Sequence, residues 1–90
     1  MYFEWDSKKA LANQRKHGVT FEEASSALRD PFSATGNDPD HSEGEERFVT
    51  FGISSSGRLL AVSHTERGNA IRIISARVAT NIERQIYEEG

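Results

Sequence analysis

The second half of the chain alternates between apolar and polar residues with a period of two. Three such stretches occur, at 47–54, 59–65 and 70–76, and the turn-forming sequences SSSG and ERGN separate them. A period of two is typical of β-strands, because successive side chains point to opposite faces of a sheet. Short turns join consecutive strands side by side in opposite directions. The chain is therefore predicted to form an antiparallel meander, against which its other elements pack.

The alignment of apolar residues across the two turns predicts the register of this meander. It pairs Phe51 with Leu60, Val49 with Val62, Val62 with Ile73, and His64 with Ile71. Those side chains then share one face, which we expect to be the core, with Arg47 beside His64 at its rim. The reverse face is expected to carry hydroxyl groups around an arginine, an arrangement that suits a phosphate; its residues are Thr50, Ser63, Thr65, Arg72 and Ile74.

The segment before the meander carries signals for a strand and a helix. Residues 2–5 are predicted to form a short first strand. Asp6 then provides an N-cap for a helix that runs to about His17, where Gly18 supplies a left-handed stop.

Two capping boxes mark two further helices. Thr20 with Glu23 opens a second helix, and Thr80 with Glu83 opens a last one. Between the second helix and the meander, residues 33–46 are rich in turn-forming and acidic residues and are read as a loop with room for one short strand. The predicted fold class is α+β, with an antiparallel sheet of about four strands, two N-terminal helices and a C-terminal helix.

Length and composition bound the class of protein. A chain of 90 residues is expected to form one domain, 1–90, with a modest core. The absence of cysteine excludes a disulfide framework and a cysteine-ligated zinc site, and it suits a reducing cytoplasm. The sequence has no long apolar stretch, so we expect a soluble cytoplasmic protein that does not enter the membrane.

Charge is distributed unevenly although the net charge is only −3. Residues 1–46 contain ten acidic and five basic residues, whereas residues 47–90 contain four acidic residues and six arginines. Arginine binds phosphate through two parallel hydrogen bonds, which lysine does not. The distribution suits a protein with one surface for a phosphate backbone and another for a partner, although a mixed-charge solvated surface would look the same.

Arg67, Arg72 and Arg77 lie in or beside the last two predicted strands, where a sheet would hold their guanidinium groups on a rigid support. A surface ion pair contributes only about 0 to 1 kcal/mol, which is little reason to place Arg72 among isoleucines, so we favour a functional role there. Arg77 lies between a strand and a helix, where bonding to carbonyl groups is an equally good explanation.

Several motifs, in order and at their spacing, make the chain similar to the BrnT family of bacterial toxins. They are FEWD at 3–6, KHGVTFEEA at 16–24, DPF at 30–32, GEERFVTFG at 44–52, GRLLAV at 57–62 and HTERGNAIRIISAR at 64–77. The resemblance implies a RelE-like domain that cleaves RNA and arrests growth. It also implies neutralisation by a BrnA-type antitoxin, whose ribbon-helix-helix part would bind operator DNA so that the complex represses its own operon.

RNA cleavage without a metal or other cofactor requires a base, an acid and cations that stabilise the phosphorane. His64, Arg67, Arg72 and Arg77 are the predicted catalytic residues, His64 because it titrates near neutrality. Glu66 is an alternative base. A histidine at the end of an apolar strand face is, however, more often a packed residue, and this alternative stays open for His64.

Further basic and aromatic residues are candidate RNA contacts. Lys8 and Lys16 lie on one side of the first helix, and Arg84 and Tyr87 are one turn apart on the last. Each has a structural alternative, a solvated helix face or a packed ring.

Two rival functions remain. A non-catalytic module could use the same arginines to bind a nucleic acid or a carboxylate-rich protein. A metal-dependent hydrolase would instead use the acidic loop with Asp38, Asp40, His41 and Glu43, which fits neither an EF-hand nor an HExxH pattern.

Overall fold

The computed structural model describes residues 2–41 and 44–90 and has the predicted α+β fold. Its elements are β1 Tyr2–Glu4, α1 Ser7–His17, α2 Phe21–Leu28, β2 Ala34–Asn37, β3 Phe48–Ile53, β4 Leu59–Arg67, β5 Ala70–Val78 and α3 Asn81–Glu89, with a single 3₁₀ turn at Pro39–His41. Within the described residues, no helix is long and apolar enough to span a membrane.

Over the described residues, the sheet has five strands in the order β1-β5-β4-β3-β2, one more than the predicted number of about four. The predicted meander is its centre, formed by β3, β4 and β5. β2 extends it antiparallel to β3, and β1 extends it on the other side, parallel to β5. The sheet is therefore antiparallel except at the edge where the first strand returns to pair with the last.

Helices α1 and α2 pack on one face of the sheet and enclose the core. The buried core residues are Val19, Phe21, Ala24, Ala27, Leu60, Val62, Ile73 and Ala76. The predicted caps are present: Asp6 accepts a hydrogen bond from the Lys9 amide, and Gly18 is left-handed with φ 69°. Thr20 accepts a hydrogen bond from the Glu23 amide and caps α2, but the Glu23 carboxylate binds Arg58, Ser54 and Ser56, so the predicted capping box is only half formed.

The predicted register of β3 against β4 is wrong by one residue. Phe51 pairs with Ala61 rather than Leu60, and Thr50 rather than Val49 pairs with Val62. Gly52 explains the difference, because it faces α2 so closely that a Cβ atom there would overlap the carbonyl oxygen of Ala27. The glycine must face the helix, so Val49 and Phe51 lie on the opposite face of the sheet.

The predicted register of β4 against β5 is wrong by two or three residues. Val62 pairs with Ala76, and His64 pairs with Ile73. The difference between the predicted and observed partner is three residues at Val62 and two at His64. A β-bulge near Ser63 and His64 accounts for this change, because it gives β5 one additional residue opposite β4. Phe48 of β3, and not Arg47, pairs with His64 of β4.

Asn13 ties α1 to the sheet. Its side-chain amide, 6% exposed, donates to the carbonyl oxygens of Val19 and Ala76 and accepts a hydrogen bond from the Ala76 amide. β1 pairs only with residues 70–72 of β5, so the outer edge of β5 beyond Ile73 has no strand neighbour. Asn13 takes the place of a strand there and satisfies both backbone groups of Ala76.

Candidate functional site

The sheet face turned away from α1 and α2 carries Arg67, Arg72 and Arg77, and we call it the arginine face. Directly paired residues of neighbouring strands share a face. One row across the sheet contains Phe51, Ala61 and Arg77, and another contains Thr65, Arg72 and Glu4. The sheet thus brings together three of the four residues predicted to be catalytic.

Between these two rows lies a row of small side chains. Val49, Ser63 and Ser75 pair across β3, β4 and β5, and all three are half-buried. This row separates the row of Arg77 from the row of Arg72. Thr65 lies in the row beside it, and its hydroxyl group is buried without a hydrogen-bond partner among the described residues.

Each of the three arginines forms an ion pair with a glutamate. Arg67 contacts Glu45 at 3.0 Å, Arg72 contacts Glu4 at 2.9 Å, and Arg77 contacts Glu83 at 2.7 Å. Their side chains are nevertheless 50%, 30% and 43% exposed. The guanidinium groups are therefore oriented by carboxylates and remain accessible to an anion from solvent.

These ion pairs shift the acidity of the carboxyl groups. The guanidinium of Arg77 lowers the pKa of Glu83 to about 2, and Arg67 lowers the pKa of Glu45. Both carboxylates are thus ionised at neutral pH. An arriving phosphate has to compete with them for the same donors.

His64 lies on the opposite side of the sheet from the arginine face. Its side chain, 3% exposed, stacks on Phe48, and its Nε2 atom is 2.7 Å from the hydroxyl of Thr50, which in turn contacts Thr35. Burial lowers the pKa of His64. The ring is therefore a packed neutral group. Glu66, the alternative base, pairs with Ile71 and so lies on the same side of the sheet as His64, away from the arginine face.

The candidate RNA contacts occupy two different surfaces. Lys8 and Lys16 are exposed on α1, across the sheet from the arginine face. Arg84 and Tyr87 are on α3, which packs against β3. Arg84 is exposed, whereas the Tyr87 hydroxyl donates a hydrogen bond to Asp30, which raises the pKa of Tyr87 and ties α3 to the end of α2.

The acidic loop shows no metal-binding geometry in its described part. Asp38 contacts the imidazole of His41 at 3.0 Å. Over residues 2–41 and 44–90, no three histidine or acidic side chains converge as metal ligands. Glu43, which belongs to the predicted set, lies outside the described residues.

The sequence-based prediction missed the residues that accompany the arginines. Glu4 is 68 positions from Arg72 in sequence, so no local pattern links them. Val49 and Phe51 were assigned to the core, yet they lie on the arginine face. Gly52 was the signal that could have corrected their assignment, since a glycine within an apolar strand often marks close approach of another backbone.

The chain is similar to known proteins both in its structure and in its sequence. The structure is similar to the 1.1 Å crystal structure of the Brucella abortus ribonuclease toxin BrnT, with a TM-score of 0.65 and 25% identity over 90% of this chain and 99% of that one. The fold is thus that of a ribonuclease toxin. A family model described as the ribonuclease toxin BrnT of type II toxin-antitoxin systems matches residues 5–83.

The chain therefore belongs to the BrnT family of ribonuclease toxins. Membership in a type II toxin-antitoxin family implies RNA as the target and an antitoxin as the partner. No curated protein matches the chain.

Proposed function

We propose that the chain is a metal-independent endoribonuclease that arrests growth and whose arginine face holds the scissile phosphodiester. The observation that carries this proposal is the placement of Arg67, Arg72 and Arg77 on one rigid face, partly exposed and already oriented by carboxylates. The strands hold the backbone of these residues in place, and the ion pairs orient the guanidinium groups before RNA binds. They can stabilise the added negative charge of a phosphorane without first reorganising.

In this mechanism the RNA phosphate takes the place of a glutamate. Arg72 and Arg67 release Glu4 and Glu45 and bind phosphate oxygens in the same donor geometry. The phosphorane carries more charge than the ground-state phosphodiester, so the arginines favour the transition state over the substrate. A released carboxylate beside the bound phosphate can then accept the proton of the 2′-hydroxyl, whose oxygen attacks the phosphorus as the bond to the 5′-oxygen breaks. The leaving 5′-oxygen takes a proton from water.

We assign His64 to packing rather than to proton transfer. The observation behind this choice is its burial on the opposite side of the sheet, where its Nε2 atom bonds Thr50. Glu4 and Glu45, which lie with the arginines, replace His64 and Glu66 as candidate bases.

Neutralisation belongs to the same proposal. A BrnA-type antitoxin would cover part of the arginine face, and its carboxylates would bind the guanidinium groups as the internal glutamates do in this structure. A ribbon-helix-helix part of the antitoxin would bring the complex to operator DNA in the cytoplasm. A gel-shift assay with operator DNA tests this: the complex should bind, and the toxin alone should not.

The test of the nuclease is incubation of purified protein with RNA in EDTA and, in parallel, in Mg²⁺. Cleavage that persists in EDTA supports the proposal, and cleavage that EDTA abolishes overturns it in favour of a metal-dependent hydrolase. Binding without cleavage in either buffer would support the non-catalytic module, which the carboxylate pairs of the arginines also favour. Antitoxin that co-purifies with the toxin would inhibit it and mimic an inactive protein. It is therefore removed under denaturing conditions, and the toxin is refolded before the assay.

A further inference from the structure

A cavity of about 360 Å³ opens on the arginine face between β2, β3 and α3. Val49 and Phe51 form its apolar floor, and Asp38, Arg77 and Glu83 contribute charged groups to its walls. A cavity of this volume falls at the lower end of those that hold small ligands. It adjoins the proposed phosphate site because Arg77 belongs to both.

The lining of the cavity selects among ligands by charge. Glu83 is paired with Arg77, and Asp38 contacts the imidazole of His41. Each carboxylate therefore already has a nitrogen partner, and the cavity attracts a cation only weakly. A carboxylate has about four lone-pair sites, and Glu83 accepts three hydrogen bonds, so its Oε2 atom can still accept one from an N–H group. An uncharged group with N–H donors meets these conditions better than an ammonium or a phosphate.

The floor of the cavity adds a requirement for shape. Val49 and Phe51 are half-buried neighbours on one face of β3 and offer apolar surface, including an aromatic ring, to a bound group. Aromatic side chains bind bases of single-stranded RNA by stacking, with about 1 to 3 kcal/mol per base. A flat heteroaromatic ring fits both this floor and the acceptors above it.

We propose that this cavity binds one nucleobase of the RNA, and specifically a base with an exocyclic amino group: guanine, adenine or cytosine. The inference rests on the proposed nuclease function and adds a base preference to it. A base held here would present its own phosphate to the guanidinium of Arg77, which lies in the same row of the sheet as Phe51. The arginines would bind any sequence, and the cavity would select one position.

Gly36 keeps the cavity open. It pairs with Val49 on β2, and a Cβ atom at this position would meet no other atom within 4 Å. Its backbone is not left-handed, so a β-branched residue can adopt the same conformation. Gly36→Val should therefore fill space above Val49 without disturbing the strand, and Gly36→Ala should fill much less of it.

The test is an NMR titration of labelled protein with the four nucleoside 5′-monophosphates and with ribose 5-phosphate, which lacks a base. We expect GMP, AMP or CMP to shift the Val49 methyl and Phe51 ring signals. Its affinity should be at least about tenfold higher than that of UMP or ribose 5-phosphate. Gly36→Val should weaken that binding at least about tenfold, Gly36→Ala should weaken it less, and both should leave signals remote from the cavity unchanged.

Three results would overturn the inference. In the first, ribose 5-phosphate shifts the same signals as strongly as every nucleotide. In the second, none of the nucleotides shifts them at millimolar concentration. In the third, N-acetyl-arginine amide binds there more tightly than all four nucleotides. The last result would assign the cavity to a cationic side chain of a partner protein. Because the titration does not depend on cleavage, its failure and the failure of the EDTA assay are separate outcomes.

Discussion

The guanidinium of Arg77 binds the carboxylate of Glu83 through two hydrogen bonds, Nη1 to Oε1 at 2.7 Å and Nη2 to Oε2 at 2.8 Å. The same carboxylate accepts a hydrogen bond from the Thr80 amide and completes the capping box of α3. One glutamate therefore both starts the last helix and orients an arginine of the candidate site.

Glu83→Gln should separate these two roles. Glutamine can still accept the Thr80 amide, so the cap survives, but the ion pair with Arg77 is lost. Since Arg77 is 43% exposed, the loss of unfolding free energy should be only about 1 kcal/mol. Urea unfolding measures it, with Glu88→Gln, at an exposed position of α3, as the matched control. A loss equal to that of the control would show that the pair contributes nothing to stability.

Glu23 should make the protein sensitive to acid. Its carboxylate accepts hydrogen bonds from Arg58, Ser54 and Ser56, and the Arg58 contact contributes most to lowering its pKa from 4.5 to about 2. Because the folded state binds this proton less readily than the unfolded state, the stabilisation is present above pH 4.5 and disappears as the pH falls toward 2. Urea unfolding between pH 5 and 2 should show this decline, and Glu23→Gln should make the curve flatter. If the unfolding free energy of the variant depends on pH as steeply as that of wild type, Glu23 is not the source of the acid sensitivity.

His64 should make stability depend on pH in a higher range. Burial lowers its pKa below 6.5, so the unfolded state gains a proton first and stability falls as the pH drops below 6.5. His64→Gln can keep a hydrogen bond to Thr50, whereas His64→Ala leaves a cavity and loses that hydrogen bond, and it should cost about 2 to 4 kcal/mol.

The same two variants test the role of His64 in the reaction. If the residue only packs, His64→Gln should cleave RNA at nearly the wild-type rate and should lose the stability change below pH 6.5. A stable His64→Gln variant without nuclease activity would instead return His64 to catalysis.

Asn13→Ala should be among the more destabilising single substitutions of a polar residue. It removes three buried hydrogen bonds and leaves the amide and carbonyl groups of Ala76 unpaired. We expect a loss of about 3 kcal/mol in unfolding free energy. Gln14→Ala, at the adjacent exposed position of α1, is the control and should change stability by less than about 0.5 kcal/mol. Equal losses in both variants would contradict the role assigned to Asn13.

The sequence predicted best those features that depend on neighbouring residues. Helix boundaries follow from caps such as Asp6 and Thr80, whose partners are three positions away. The register of the sheet depends instead on a close approach between Gly52 and α2 and on a bulge in β5, and apolar matching indicates neither. The resulting error moved Phe51 from the arginine face to the core.

The candidate site was predictable only in part for a related reason. The alternation of β5 indicated that Arg72 lies away from the core, and the structure agrees. Its ion pair with Glu4 requires β1 to return beside β5, a contact across nearly the whole chain. The predicted register also placed His64 and Arg72 on opposite faces, which is correct, but without the bulge it could not show that Arg77 shares a face with Arg72.

The proposed mechanism requires the arginine face to hold the phosphodiester during cleavage without a metal. The most direct test compares RNA cleavage rates in EDTA for wild type, Arg72→Ala and Arg29→Ala. Arg29 is an equally charged control that lies on the helix side, over the ring of Phe3. All three proteins should show the same circular dichroism spectrum.

Arg72→Ala should lower the cleavage rate at least about 100-fold, as removal of a group that stabilises transition-state charge does, and should also abolish growth arrest. Arg29→Ala should remain within about twofold of wild type. Cleavage and growth arrest by folded Arg72→Ala at the wild-type level would contradict the account.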